Sequence, residues 1–159
     1  MICAKLPNFQ FFPGLIESVA NHSPKDATMP YVRISLRAGK PPAHLEAISR
    51  SVLRAMSETF EVPPEDCFQI FHQLAPNELA IHPTYMGGPR SADFVHIAMT
   101  TGRQRPRETK RALYQRTVEL LAADPGLRPE DVMIVLTNSE PEDWSFGGGR
   151  MWEPNHTTV

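Results

Sequence analysis

The stretch Met29-Pro30-Tyr31-Val32-Arg33-Ile34-Ser35-Leu36 decides how the chain is read. Val32, Ile34 and Leu36 alternate with Arg33 and Ser35, and that period of two marks a half-buried β-strand. Sheets tolerate proline at a strand's first residue, so Pro30 opens it. The residues before it have another character. They hold Pro7, Pro13 and an Asn-His-Ser-Pro-Lys-Asp-Ala-Thr run, with no sustained period. Residues 1–29 are therefore expected to be an irregular arm, with one helical turn over Leu15–Ala20, or an upstream extension such as a start codon assigned too early. The extension is the favoured reading, and Met29-Pro30 is then where a shorter chain begins.

After the strand, Gly39-Lys40-Pro41-Pro42 leads into a helix, since proline suits a first helical turn. Leu45, Ile48, Val52, Met56 and Phe60 recur at spacings of three and four, which predicts a helix over 42–60 with one apolar stripe. Val62-Pro63-Pro64-Glu65-Asp66 ends it, and Cys67, Phe68, Ile70 and Phe71 make a second strand. Leu74 to Arg90 is a long connection rich in Pro and Gly, expected to hold a small hairpin around Ile81 and Tyr85.

Then the pattern restarts. Phe94, Val95, Ile97 and Met99 form a third strand, Pro106 to Ala123 a second helix, and Val132 to Leu136 a fourth strand. The halves match at a period of about 63–65 residues. Tyr31-Val32-Arg33-Ile34 aligns with Phe94-Val95-His96-Ile97, and Pro64-Glu65-Asp66 with Pro129-Glu130-Asp131. The expected fold is α/β (α+β): two tandem βαβ units, each with parallel strands, forming a four-stranded sheet with both helices on one face. The other face needs cover, and other subunits are the expected cover in a chain this short.

The totals set bounds. An apolar share of 41% supports a real core, and a net charge of −2 gives no electrostatic reason to expect nucleic acid or an anionic membrane. Cys3 and Cys67 have neither a second pair nor metal-like spacing, which fits reduced thiols in a cytoplasmic protein. No apolar run approaches transmembrane length, and the interrupted start is a poor secretory signal. His72, His82 and His96 lack ligand spacing, so no metal is expected.

Where the halves differ, chemistry is sought. Asp66 has a twin in Asp131, so a purely architectural reading of Asp66, an acid closing a helix-to-strand turn, is strong. Arg103-Gln104-Arg105 has no such twin, because Lys40 and Pro42 occupy the matching places. It follows strand 3 at the carboxyl edge of a parallel pair, where ligands of α/β sheets bind. Two planar guanidinium forks suit a carboxylate or phosphate. The bland reading is a solvated basic loop, since Arg107, Lys110 and Arg111 follow, and on pattern alone it takes the larger share. Nucleic acid is disfavoured by the acidic total and the lack of interleaved aromatics. In the tail, Trp144 and Phe146 stand beside Gly147-Gly148-Gly149. They either wall an apolar pocket or cover sheet and subunit surface.

Together these features resemble the tautomerase superfamily, in particular its malonate semialdehyde decarboxylase-like branch. The resemblance spans roughly residues 30–153, leaving 154–159 as a tail. It rests on the Pro30 strand, Pro64-Glu65-Asp66, Arg103-Gln104-Arg105 with Glu108 and Lys110, and Asp143-Trp144-Ser145-Phe146-Gly147-Gly148-Gly149-Arg150. The last motif is the most specific. The resemblance implies a homotrimer with a site on each subunit, a small carboxylate substrate, and no metal or organic cofactor. It implies that Pro30 is an amino-terminal amine acting as acid or base, and that Asp66 is its partner. Arg103 and Arg105 then hold the substrate carboxylate and polarise its carbonyl, and Trp144 and Phe146 are pocket walls.

The chain departs from that pattern in one respect. With residues 1–29 attached, the Pro30 nitrogen is a tertiary amide without basicity, and the arm must leave through the pocket. A start at Met29, or removal of the arm through Met29, frees the amine. Two expectations follow. One is a tautomerase or decarboxylase acting on a small 2- or 3-oxo, or unsaturated, carboxylic acid. The other is a non-catalytic trimeric carboxylate-binding or structural homologue in which residues 1–29 block Pro30.

Overall fold

The computed structural model describes residues 30–153. The arm, the helical turn expected over Leu15–Ala20, and the 154–159 tail lie outside the described residues. Those described fall into two compact units, 30–139 and 140–153.

The larger unit runs β1 (Tyr31–Arg37), α1 (Pro42–Phe60), β2 (Phe68–Leu74), β3 (Val95–Thr101), α2 (Arg107–Ala123) and β4 (Val132–Asn138). The sheet order is β2-β1-β3-β4. β1 is parallel to β2 and β3 to β4, as the two crossovers require. The halves meet through an antiparallel β1–β3 pair in which Ile34 stands opposite Ile97. This is the expected pair of βαβ units, joined about a pseudo-twofold axis.

One face of the sheet carries the core. Val32, Ile34, Leu36, Val95, Ile97 and Met99 are buried and pack with Leu45, Ile48, Val52, Met56 and Phe60 of α1 and Leu113, Leu120 and Leu121 of α2. Each such side chain contributes about 1.5–3 kcal/mol by leaving water. Pro42 sits in the first turn of α1. At its other end Glu61 takes a left-handed φ of 58°, a conformation that stops a helix. α2 ends at Asp124; the Gly126 and Leu127 amides then cap the Leu121 carbonyl at 3.1 and 2.9 Å, with Gly126 at φ 90°. The opposite face stays open, with Phe68, Ile70, Met133 and Val135 between 38% and 51% exposed.

The hairpin expected around Ile81 and Tyr85 does not form. The carbonyls it needs are taken: Arg90 Nη1 donates to those of His82 and Tyr85 at 2.8 and 2.9 Å. His82 Nδ1 in turn accepts from the Thr84 and Tyr85 amides at 3.1 and 2.9 Å. At Gly88, φ is 104° and a Cβ would come within 2.4 Å of the Pro83 carbonyl, so the loop closes as a stapled turn.

Asp131 fixes the entry to the second βαβ half. Its side chain is fully buried. It accepts from the Ser91 amide, from the Ser91 hydroxyl at 2.8 Å and from Arg128 Nε at 3.0 Å. Burial alone would raise this carboxyl, but the Ser91 and Arg128 hydrogen bonds outweigh it and hold it below the ordinary range. A depressed carboxyl contributes stability above its unfolded pKa and loses it as pH falls through the folded one. Asp131→Asn is therefore expected to cost about 2–3 kcal/mol in urea unfolding at pH 7. The gap to wild type should close below about pH 4.

Candidate active site

The antiparallel pairing of β1 and β3 decides what lies near Pro30. Tyr31 stands opposite Thr100, so one step back Pro30 lies beside Thr101, where β3 ends. Arg103 and Arg105 follow in the loop that leads to α2. On the other flank Tyr31 stands opposite Phe68, so Pro30 lies beside Cys67, and Asp66 immediately precedes it. Neighbouring strands run about 4.8 Å apart. The register thus brings Pro30, Asp66 and the loop bearing both arginines to one end of the sheet, and Pro30 is itself buried.

Asp66 is half-buried, and no hydrogen bond to its carboxyl is made by the described residues. Burial pushes the carboxyl up to about 6, with the Glu65 charge adding to it. Its twin Asp131 grips the segment that enters β3. Asp66 precedes β2 as Asp131 precedes β4, at the end of the sheet where β1 begins. The two acids share a place in the repeat but differ in state: one is satisfied and ionised, the other is desolvated with a raised pKa.

Arg105 is half-buried and oriented from below. Its Nη2 donates to the Phe60 carbonyl at 2.7 Å, and its Cζ lies 5.4 Å from the centre of the Phe60 ring. That carbonyl belongs to the last turn of α1, where backbone oxygens lack intrahelical partners and the helix dipole favours a cation. The bond and the ring contact fix the plane of the guanidinium fork. Arg103 is exposed. Its carbonyl lies 3.3 Å from the Thr101 hydroxyl, which is also 3.3 Å from Asn138 Oδ1. The ends of β3 and β4 are thereby tied under the arginine loop. Thr100 and Thr137 add a 3.0 Å hydroxyl contact.

Trp144 and Phe146 belong to the smaller unit. Their rings stack with centroids 5.6 Å apart and planes 12° apart. Asp143 Oδ2 accepts from the Glu140 amide at 2.8 Å, and the Trp152 amide donates to the Trp144 carbonyl at 2.8 Å, so this segment folds on itself.

Three contributors escaped the reading of the sequence. Phe60 read as the last member of a helical stripe, and nothing in a sequence marks a carbonyl as a ligand. Asn138 read as loop. Thr101 did carry a signal: it is a buried hydroxyl that closes the apolar alternation Val95, Ile97, Met99. Among the described residues no three His, Cys, Asp or Glu side chains converge to hold a metal ion.

Pro30, Asp66 and an arginine loop thus share one end of the sheet, and comparison with known proteins bears on what they do there. Residues 66–147 and 30–88 match two family profiles, each described as tautomerase enzyme. The chain is 37% identical over 122 residues to "Probable tautomerase YusQ" of Bacillus subtilis (strain 168), covering 77% of this chain and 96% of that relative. Among solved structures, a malonate semialdehyde decarboxylase superposes with TM-score 0.70 at 30% identity, over 76% of this chain and 92% of that one. FG41 malonate semialdehyde decarboxylase inhibited by 3-bromopropiolate gives 0.69 at 32%, over 76% and 91%. The chain therefore belongs to the tautomerase superfamily of enzymes, in its malonate semialdehyde decarboxylase-like branch.

Proposed function

We propose that the protein acts on a small 2- or 3-oxo, or unsaturated, carboxylic acid, with Pro30 as a free amino-terminal amine. The observation that carries this is the convergence of Pro30, Asp66 and the Arg103–Arg105 loop at one end of the sheet. Two further facts favour a chain that begins at Pro30. One family profile starts its match at residue 30. The Bacillus subtilis relative is covered almost whole by about three quarters of this chain.

Roles follow from chemistry. A free α-amine titrates at about 8, burial disfavours its cation, and a neighbouring carboxylate favours it. Asp66 thus sets the charge of Pro30. Arg103 and Arg105 bind the substrate carboxylate through paired N–H donors. In decarboxylation of malonate semialdehyde, the C–CO2 bond breaks and its electron pair passes into the carbonyl as an enolate. Protonated Pro30 and an arginine stabilise the developing oxyanion, and a proton then returns to carbon. In keto–enol transfer, neutral Pro30 takes the proton from oxygen and delivers it to carbon. The malonate semialdehyde decarboxylase at 30% identity is described as having decarboxylase and hydratase activities, which favours the first chemistry. Trp144 and Phe146 are assigned to the pocket wall by their motif. No cofactor enters this scheme.

We assign self-association, as a homotrimer, to the open sheet face, because its exposed Phe68, Ile70, Met133 and Val135 form the apolar surface that needs cover. A cytoplasmic setting fits the cysteine pattern, and no described helix is long and apolar enough to cross a membrane.

A chain produced to start at Pro30 should turn over malonate semialdehyde or phenylenolpyruvate. Pro30→Ala and Arg105→Ala should each lower kcat/KM by about 10²–10⁴-fold. Absence of turnover in the trimmed chain would favour the non-catalytic carboxylate-binding homologue. Asp66 supplies a stability test. Its carboxyl is raised from about 3.9 unfolded to about 6 folded, so the folded state holds the proton more tightly. Stability is then lost as pH rises through that window. In the full-length chain Asp66→Asn should be more stable than wild type at pH 8, with the difference gone by pH 4. In the chain starting at Pro30 the ammonium offsets this cost, and the gain should shrink or reverse. Ile70→Asp should convert the assembly to monomers in sedimentation velocity.

A further inference from the structure

The open face of the sheet holds a second polar cluster, remote from the chemistry assigned to Pro30. Val32, Ile34 and Leu36 turn toward the helices, so alternation places Tyr31, Arg33, Ser35 and Arg37 on the open side of β1. Ser35 stands opposite His72 on β2 and opposite His96 on β3. The three side chains form a row across three strands, and Arg33 lies one pleat period away along β1. With Leu74 and Ala98 they line a cavity of about 360 Å³.

The charge on this face is one-sided. None of the four strands contains an Asp or Glu. The titratable or charged side chains on the open side are Tyr31, Arg33 and Arg37 from β1, His72 from β2 and His96 from β3; β4 offers Met133, Val135 and Thr137. Arg37 Nε is buried, with no hydrogen-bond partner among the described residues. Burial and then the Arg33 charge hold His96 below its ordinary value. Among the described strand residues this face carries two permanent cations, two imidazoles and no acid, so its strands supply no counter-charge, and burying it between subunits would worsen that deficit.

We infer that Arg33, Ser35, His72 and His96 form a binding site for a small oxyanion on the open face of the sheet, separate from the Pro30 end. A guanidinium fork, a hydroxyl and two imidazole N–H groups match the oxygens of inorganic phosphate, sulfate or a small carboxylate. The anion would reverse the field that Arg33 sets at His96, so its binding takes up protons and strengthens as pH falls. The site is read from one subunit and holds whether or not Pro30 is catalytic. With copies packed through this face, as assigned above, the anion neutralises the like charges they bring together.

The test is titration of the full-length protein with inorganic phosphate, and separately with acetate, at constant ionic strength, followed by histidine NMR and calorimetry at pH 6 and pH 8. The expected result is a saturable shift of the His96 signals, with acetate, whose charge is the same at both pH values, bound about tenfold more tightly at pH 6 than at pH 8. Arg33→Ala should weaken binding by about tenfold or more, and Arg33→Lys should retain part of it. Tighter binding of acetate than of phosphate, with the same Arg33 dependence, also supports the site and makes a carboxylate its natural ligand. Three outcomes overturn the inference. The first is a set of shifts that never saturates. The second is shifts that persist unchanged in both Arg33 variants. The third is no effect of phosphate while Arg33→Ala dissociates the assembly, which would assign the counter-charge to a carboxylate of a second copy.

Discussion

The antiparallel pairing of β1 with β3 is the constraint on which the candidate chemistry depends. Within each βαβ unit the strands are parallel, so each unit alone would keep strand starts apart from strand ends. The Ile34–Ile97 crossing reverses one unit against the other. The start of β1 then lies beside the end of β3, and Pro30 comes to the same end of the sheet as an arginine loop that follows it by some seventy residues. The core fixes this register. Slipping it by one residue would turn Val32, Ile34 and Leu36 out of the buried face.

The repeat also shows how one scaffold position serves two purposes. Asp131 and Asp66 both end a helix-to-strand turn beside the strand opening their own half. Asp131 is saturated by Ser91 and Arg128, and it locks the chain entering β3. Near it, Lys40, the counterpart of Arg103, pairs with Asp93. That end of the sheet is closed by its own charges. At the other end Asp66 is desolvated with a raised pKa, and Arg105 is aimed by the Phe60 carbonyl. The desolvated acid lies where function is expected, while its twin does structural duty.

Much of this was legible in the sequence, for physical reasons. The stripe from Leu45 to Phe60 gave α1 its observed bounds, because one core packs against it throughout. β2, β3 and β4 run two or three residues beyond their apolar alternation. Their last residues, such as Gln73, Thr100 and Asn138, pair through backbone, which side-chain pattern does not record. The hairpin around Ile81 and Tyr85 failed because Arg90, eight residues beyond His82, takes its carbonyls. Arg103 and Arg105 stood out because the halves differ there, whereas Pro30 and Asp66 were singled out by the family resemblance. Phe60 could not be picked out, since its part is played by a backbone oxygen. The oxyanion row also escaped, since Ser35, His72 and His96 meet only once strand order is known.

The account stands on Pro30 carrying a free secondary amine in the working protein. Intact-mass and N-terminal peptide mass spectrometry of the protein purified from its native host tests this most directly. The account predicts a chain whose first residue is Pro30. A native protein that retains residues 1–29, with Pro30 held in a peptide bond, would contradict it.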